Sequence, residues 1–446
     1  MIDGGRLQRA VVLVGNPARP YSRGLRIARV LAGLDADVEI AAVAGDDAPE
    51  TEQDGAVTIR RYRPSGPYGR LGASHAVGSE AGSRARGPAG PARRPVRVVR
   101  NVVAAVRRWI LWPHTVRGWW ATLDRELPPA DLYHACGSLT IAAALRARDR
   151  DAAAGRRSVV VYDAIDDVFG GNNVLGMPGL VRRWLARRER SWARAADVRV
   201  TVNDTLATSL VDRWAVATRP LVVPNWPEAR AIAALGAHRP DRIREATGLP
   251  ASTRIVLFQG RLGPNLGLDE AAEAILSVAD AALVLIGFGR GWERSRARDA
   301  DPRFAGRHWT LPAVHPDELL SWTASADVSI VPLPPISANQ RASTPNKLWE
   351  SLAAGTPVVV GPGLPVMAEL VERLDLGVVA RSLAPSDLGA AIARLLDVPS
   401  EAATARRARI RGIAATEFSW ESAAEGYVEA VRAAVAAAAR RGSRRR

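Results

Sequence analysis

Ile255-Val-Leu-Phe-Gln-Gly260, a helical pattern over Leu268–Val278, and Ala282-Leu-Val-Leu-Ile-Gly287 together decide the fold class of this chain. Each outer segment is a short apolar run ending on glycine, the pattern of a strand buried on both faces that runs into a tight turn. Strand, helix and strand at this spacing are the grammar of a parallel sheet with helices on its faces. Further strands are expected at Trp309–Leu311, Val328–Val331 and Pro357–Val360. The same grammar occurs upstream. Ala10-Val-Val-Leu-Val-Gly-Asn-Pro17 reads as a strand and turn, Leu25–Leu34 as a helix and Val38–Val43 as the next strand. Val57–Tyr62, Leu132–His134, Ser158–Tyr162, Val198–Val202 and Leu221–Val223 continue the series. Two successive α/β units predict two Rossmann-like domains facing one another, with ligands at the carboxyl ends of their strands. The expected divisions are residues 1–222, residues 223–417, a closing helix at 418–439 opened by Ser419 as cap, and a tail at 440–446.

Composition narrows the class. At 446 residues, 47% hydrophobic and 24% charged, the chain is long enough for two sizeable cores. The single cysteine, Cys136, excludes an intramolecular disulfide and a cysteine-rich metal site, and fits a cytoplasmic protein. Met1–Leu13 holds no long apolar run, so no signal peptide is expected, and no stretch is apolar enough for a transmembrane helix.

The net charge of +15 is unevenly placed: nine arginines and no acid between Ala81 and Leu123, and five more arginines in Arg440–Arg446. The rest of the chain is near neutral. Residues 64–95 read as a flexible loop rich in Gly, Pro, Ser and Arg. Val96–Leu111 reads as an amphipathic helix with Arg97, Arg100, Arg107 and Arg108 on one face, followed by Trp112, Trp119 and Trp120. Such a helix either packs on its own domain or lies on an anionic membrane, so Val96–Trp120 and the Arg tail are candidate peripheral membrane contacts. No reader motif accompanies the charge, and no nucleic-acid partner is expected.

One lysine, Lys347, stands among the 61 basic residues. It lies in Ser343-Thr344-Pro345-Asn346-Lys347-Leu348-Trp349-Glu350, where Thr344 reads as an N-cap and Pro345 as the first helical residue. A cation in a first helical turn opposes the helix dipole unless an anion is also bound there. Glu350 falls one turn on, along the same face.

These residues resemble glycosyltransferase family 4, retaining enzymes of the GT-B fold. The matching stretches are Phe258-Gln-Gly-Arg-Leu262, Leu285-Ile-Gly-Phe-Gly289, Ala326–Pro332, Thr344–Glu350 and Ala353–Val359. Asp131-Leu-Tyr-His134, Tyr162-Asp163, Val223-Pro-Asn225 and Phe418-Ser-Trp-Glu421 are further landmarks, and in the family the closing helix crosses back onto the N-terminal domain. The resemblance implies transfer of a hexose-type sugar from a nucleotide-sugar donor, with retention and without a metal or other cofactor, to a glycan or lipid-linked acceptor. It assigns Arg261 and Lys347 to the leaving diphosphate and Glu350 to the ribose hydroxyls. Gly260, Gly287, Gly289, Val314, Thr344 and Asn346 complete the expected donor side. His134 is the expected catalytic histidine of the N-terminal half, and Gly15, Asn16, Asp163 and Asp166 are expected on the acceptor side. Three positions depart from the family: Ala342 replaces an acidic residue, Leu266 a phosphate-binding lysine, and Cys136 the second histidine of His-x-His. Lys347 is therefore expected to substitute for the lysine missing at 266. Two readings stay open beside it: a non-catalytic nucleotide-sugar binder scaffolding a membrane assembly, and another GT-B activity such as an epimerase or inverting transferase.

Overall fold

The computed structural model describes residues 6–443 except 19–20, 46–47, 67–115, 172–173, 175–176 and 237–238. The chain forms two compact units, Met1–Val223 with Ala424–Arg446, and Pro224–Ala423.

In the first unit, β1 (Arg9–Val14), β2 (Asp37–Val43), β3 (Thr51–Asp54), β4 (Val57–Tyr62), β5 (Leu132–Cys136), β6 (Val159–Ala164), β7 (Val198–Thr201) and β8 (Leu221–Val222) form one sheet. Its order is β3-β4-β2-β1-β5-β6-β7-β8. The ladders are parallel except where β3 pairs antiparallel with β4 at the edge. The central strands carry no alternation because both faces are covered: β5 and β6 are buried at every position. The last helix, Trp420–Ser443, joins this unit from Ala424 onward.

The second unit holds β9 (Arg254–Arg261), β10 (Ala281–Phe288), β11 (His308–Pro312), β12 (Val328–Val331), β13 (Val358–Val360) and β14 (Gly377–Val379). Their order is β11-β10-β9-β12-β13-β14, and every ladder is parallel. The apolar runs that decide the fold class lie side by side as β9 and β10, with Gly260 opposite Gly287.

Several expectations need correction. The helix at Leu268 stops at Ile275, and Leu276–Val278 continue as turns. Thr344 is not an N-cap: the helix runs Asn346–Ala353, and Pro345, extended at φ −65° and ψ 151°, holds the cap position without a side-chain bond. The polar β3 and the three-residue β14 have no apolar run to announce them; pairing with β4 and β13 makes them strands. Trp119 is buried in the first unit's core and Trp120 packs beside it, its indole N–H donating to the Leu139 carbonyl (2.9 Å). The Trp119 ring is therefore taken up by the core, and Trp120 is partly buried against it. Residues 67–115, which contain most of the expected loop and the basic Val96–Leu111 segment, lie outside the described residues, as do 444–446 of the Arg tail.

Candidate functional site

The order in which strands are laid down reverses inside each sheet, and the reversal locates the candidate sites. In the second unit the chain builds outward from β9 through β10 to β11, then returns to lay β12, β13 and β14 on the other side of β9. The switch point lies between β9 and β12, where open α/β sheets bind ligands beyond the carboxyl ends of the strands. Gly260 and Arg261 end β9 there.

Arg261 is exposed and Lys347 half-buried. The Lys347 ammonium lies 4.1 Å from the Phe258 ring centroid. Gly260 has φ +110°, and a Cβ there would stand 3.8 Å from Lys347 Cε, an ordinary contact. Its glycine is therefore required by backbone conformation, with the ammonium seated directly over it. Burial lowers the Lys347 pKa, Glu350 raises it and Arg261 lowers it, leaving it at about 8. A bound anion would relieve that unfavourable charge, the behaviour of a phosphate-binding lysine.

Glu350 is buried and accepts a hydrogen bond from Gln259 Nε2 (2.7 Å). Gln259 Oε1 accepts in turn from Thr323 Oγ1 (2.6 Å), and the Thr323 carbonyl accepts from Thr356 Oγ1 (3.0 Å). This chain fixes the carboxylate's orientation against the end of the sheet. Phe258, Gln259 and Thr323 are the residues sequence reasoning missed. Gln259, a polar residue inside an apolar strand, was the available signal.

The remaining donor-side candidates divide. A Cβ at Gly287 would lie 1.8 Å from the Gly260 carbonyl oxygen, so that glycine serves strand packing first. Gly289 has φ +120°, a turn requirement. Asn346 Oδ1 accepts from Asn225 Nδ2 (2.6 Å), Thr344 is half-buried, and Val314 packs on the cluster around Ile255 and Ile286. Leu266 packs as a partly buried side chain against two apolar clusters, and Ala342 caps the C-terminus of the short helix Ala338–Arg341.

In the first unit the switch point lies between β1 and β5. Gly15 and Asn16 follow β1 there, and Asn16 Oδ1 accepts from the Ala18 N–H (2.8 Å). Asp166 is exposed just beyond β6. His134 and Asp163 stand differently. His134 sits in mid-sheet opposite Val12, fully buried, with Nε2 3.2 Å from Asp163 and Nδ1 3.0 Å from the Tyr427 hydroxyl. Asp163 is gripped by Arg23 through Nε (2.6 Å) and Nη2 (2.9 Å), while Arg23 Nη1 donates to the Val223 carbonyl (2.9 Å). Burial raises the Asp163 pKa, but Arg23 and His134 outweigh it and hold it near 2. His134, Cys136 and Asp163 bring their ligand atoms within 4.8 Å of one another, a metal-like cluster. The donor set does not suit a metal, however, since Arg23 already supplies the cation and burial pushes the Cys136 thiol far up, away from thiolate. Arg23 lies on the buried face of the helix Ser22–Ala32 with Ile27 and Leu31; the helix expected from the sequence begins only at Leu25, so no sequence pattern marks this arginine.

Residues 253–398, spanning the whole six-stranded sheet, match the sequence model of the family described as glycosyl transferases group 1. Two D-inositol 3-phosphate glycosyltransferases are similar. That of Acidothermus cellulolyticus is 30% identical over 48% of this chain and 53% of its own. That of Segniliparus rotundus is 33% identical over 45% of each. The chain thus spans about half the length of these relatives. Among solved structures, sucrose-phosphate synthase from Thermosynechococcus elongatus aligns over 96% of this chain and 100% of its own, with TM-score 0.66 and 16% identity. HepE of Anabaena, in complex with UDP and glucose, aligns over 96% and 100% with TM-score 0.61 and 14% identity. The group 1 match thus lies within the second unit, and the chain has the fold of the GT-B glycosyltransferases.

Proposed function

We propose that the chain is a retaining glycosyltransferase that moves a hexose from a nucleotide sugar to a glycan or lipid-linked acceptor without a metal ion. The observation that carries this reading is the convergence of Lys347, Arg261 and the Gln259-oriented Glu350 at the switch point of the second sheet. A nucleoside diphosphate sugar brings two negative charges, and cleavage of the sugar–phosphate bond loads more onto the leaving group. Lys347 and Arg261 supply the opposing charge, and Glu350 can accept from the ribose hydroxyls. The sugar C1–O bond to phosphate breaks as a bond to the acceptor oxygen forms on the same face. The acceptor's proton passes to the departing phosphate oxygen, so no protein base is needed. HepE, of the same fold, has been solved with UDP, which makes UDP the first nucleotide to test.

The test has two steps. A thermal-shift screen against UDP, GDP, dTDP, CDP and their sugars identifies the donor, because stabilisation grows with ligand concentration over Kd. Transfer to an acceptor panel, with product configuration read by NMR, then examines the chemistry. Lys347→Ala is expected to abolish transfer with an unchanged melting temperature. Near-normal turnover of that variant would remove the assignment, and an inverted product would remove retention.

A further inference from the structure

The helix Gly179–Ala195 (Gly-Leu-Val-Arg-Arg-Trp-Leu-Ala-Arg-Arg-Glu-Arg-Ser-Trp-Ala-Arg-Ala) belongs to neither switch point. Its C-terminal half is anchored. Ala193 is buried, Trp192 packs on the first unit's core, and the buried Glu189 accepts from the Tyr162 hydroxyl (2.7 Å). Its N-terminal turn and a half touches little. Leu180 is 76% exposed, Trp184 49% and Val181 41%, three of the five exposed large hydrophobic residues described in the whole chain. At helical spacing they form one patch, since residues i, i+1 and i+4 share a face. Isolated apolar residues on a surface need no explanation, but three exposed neighbours on one helix end do.

The charge around the patch names the occupant. Arg182, Arg183, Arg187, Arg188, Arg190 and Arg194 are all exposed on this helix, and none forms an ion pair among the described residues. The helix's one acid, Glu189, is buried and engaged with Tyr162. Arg188 stands over the Trp184 ring at 5.3 Å, so the aromatic face carries a cation on its rim. An apolar tip bearing Trp and Leu, flanked by unpaired arginines on a helix without spanning length, matches an anionic bilayer surface. The rings and aliphatic chains enter the acyl boundary while the guanidinium groups meet phosphates. Among the described residues no helix is long and apolar enough to cross a membrane, which leaves surface docking as the mode available to this helix.

We infer that Gly179–Ala195 docks the first unit onto anionic lipid, with Leu180, Val181 and Trp184 inserted and the arginines bound to headgroup phosphates. This helix is distinct in sequence from the basic stretch at 81–123 and from the Arg tail, and the inference does not depend on the proposed transfer reaction.

The test is co-sedimentation of the full chain with phosphatidylcholine vesicles, with and without phosphatidylglycerol. Binding to the anionic vesicles and not to the neutral ones is expected. Leu180→Ser with Trp184→Ser should weaken it by about tenfold or more. Arg183→Glu with Arg187→Glu should weaken it by at least about fivefold per site. All four side chains are solvent-facing, so melting temperatures and nucleotide-induced shifts should stay at wild-type values. That constancy separates this inference from the donor-site reading. Absence of anionic-vesicle binding overturns the inference. So does a Leu180→Ser/Trp184→Ser protein that sediments like wild type, which would assign the attraction to other basic segments. Concentration-dependent dimers abolished by the same substitutions, without vesicle binding, would identify the patch as a contact between copies instead. Should the serine variant melt early, the arginine reversal alone decides, because it leaves the apolar packing untouched.

Discussion

Lys347 places its ammonium 4.1 Å from the centroid of the Phe258 ring, directly over the positive-φ Gly260, the penultimate residue of β9. Burial and Arg261 lower the lysine's pKa and Glu350 raises it, leaving it at about 8; the ring adds a cation–π attraction for the charged form. A lysine with these neighbours changes charge within the range in which enzymes are assayed.

Donor affinity should therefore depend on pH in a definite direction. Below about 8 the ammonium is present and binding is flat. Above it, affinity should fall by up to about tenfold per pH unit, because the diphosphate selects the protonated form. Lys347→Arg removes this limb, since guanidinium stays charged. Nucleotide titration by calorimetry across pH 7–10 checks both, and an identical falling limb in the arginine variant counts against it. The stability consequence has the opposite sign. The folded pKa lies below the unfolded value of about 10.4, so the unfolded chain binds more protons between the two, and this group's contribution to stability rises with pH across that window.

Phe258→Leu keeps an apolar side chain and removes the ring. Loss of about 0.5–1 kcal/mol of cation–π energy should move the alkaline limb down by about half a pH unit. The readout is the midpoint of nucleotide affinity against pH; an unmoved midpoint means the ring contributes only packing.

Gln259→Leu removes the hydrogen bond to the buried Glu350 carboxylate and leaves the Thr323 hydroxyl its bond to the Leu319 carbonyl (2.8 Å). A cost of about 1–3 kcal/mol in denaturant unfolding is expected, with weakened binding of ribonucleotide relative to its 2′,3′-dideoxy analogue. Equal loss for both nucleotides would mean that Glu350 does not meet the ribose.

Gly287→Ala drives a methyl group onto the Gly260 carbonyl oxygen, at 1.8 Å in the ideal geometry. The strands must separate, at about 1–3 kcal/mol or more. Gly263→Ala, whose Cβ meets only Leu266 Cδ1 at 3.9 Å, should leave the melting temperature nearly unchanged. Comparing the two melts distinguishes a packing glycine from a permissive one.

Arg23→Met leaves Asp163 buried without its cation. Breaking one side of a buried pair costs about 3–5 kcal/mol, which urea unfolding will register. In the intact protein Asp163 is held near pKa 2, so its contribution is present above the ordinary carboxylate range and is lost as pH falls from about 4 toward 2. A variant as stable as wild type at pH 7 would mean that water or another group replaces the guanidinium.

The sequence by itself determined the parallel α/β class, both βαβ series, most strand positions and the place of Lys347 in a first helical turn with Glu350 one turn on. These rest on periodicity and local chemistry within a few residues, which any chain carries in its own order. Tertiary structure alone decided what surrounds them. Phe258 under Lys347, Gln259 against Glu350, and Arg23 joined through Asp163 and His134 to Tyr427 bring together residues from 29 to 293 positions apart. Those meetings depend on which strand lies beside which and in what register, and no local pattern encodes that. The exposed tip of Gly179–Ala195 belongs to the same class. An amphipathic pattern says that a helix has an apolar side, and only the packed neighbours show that part of that side was left in water.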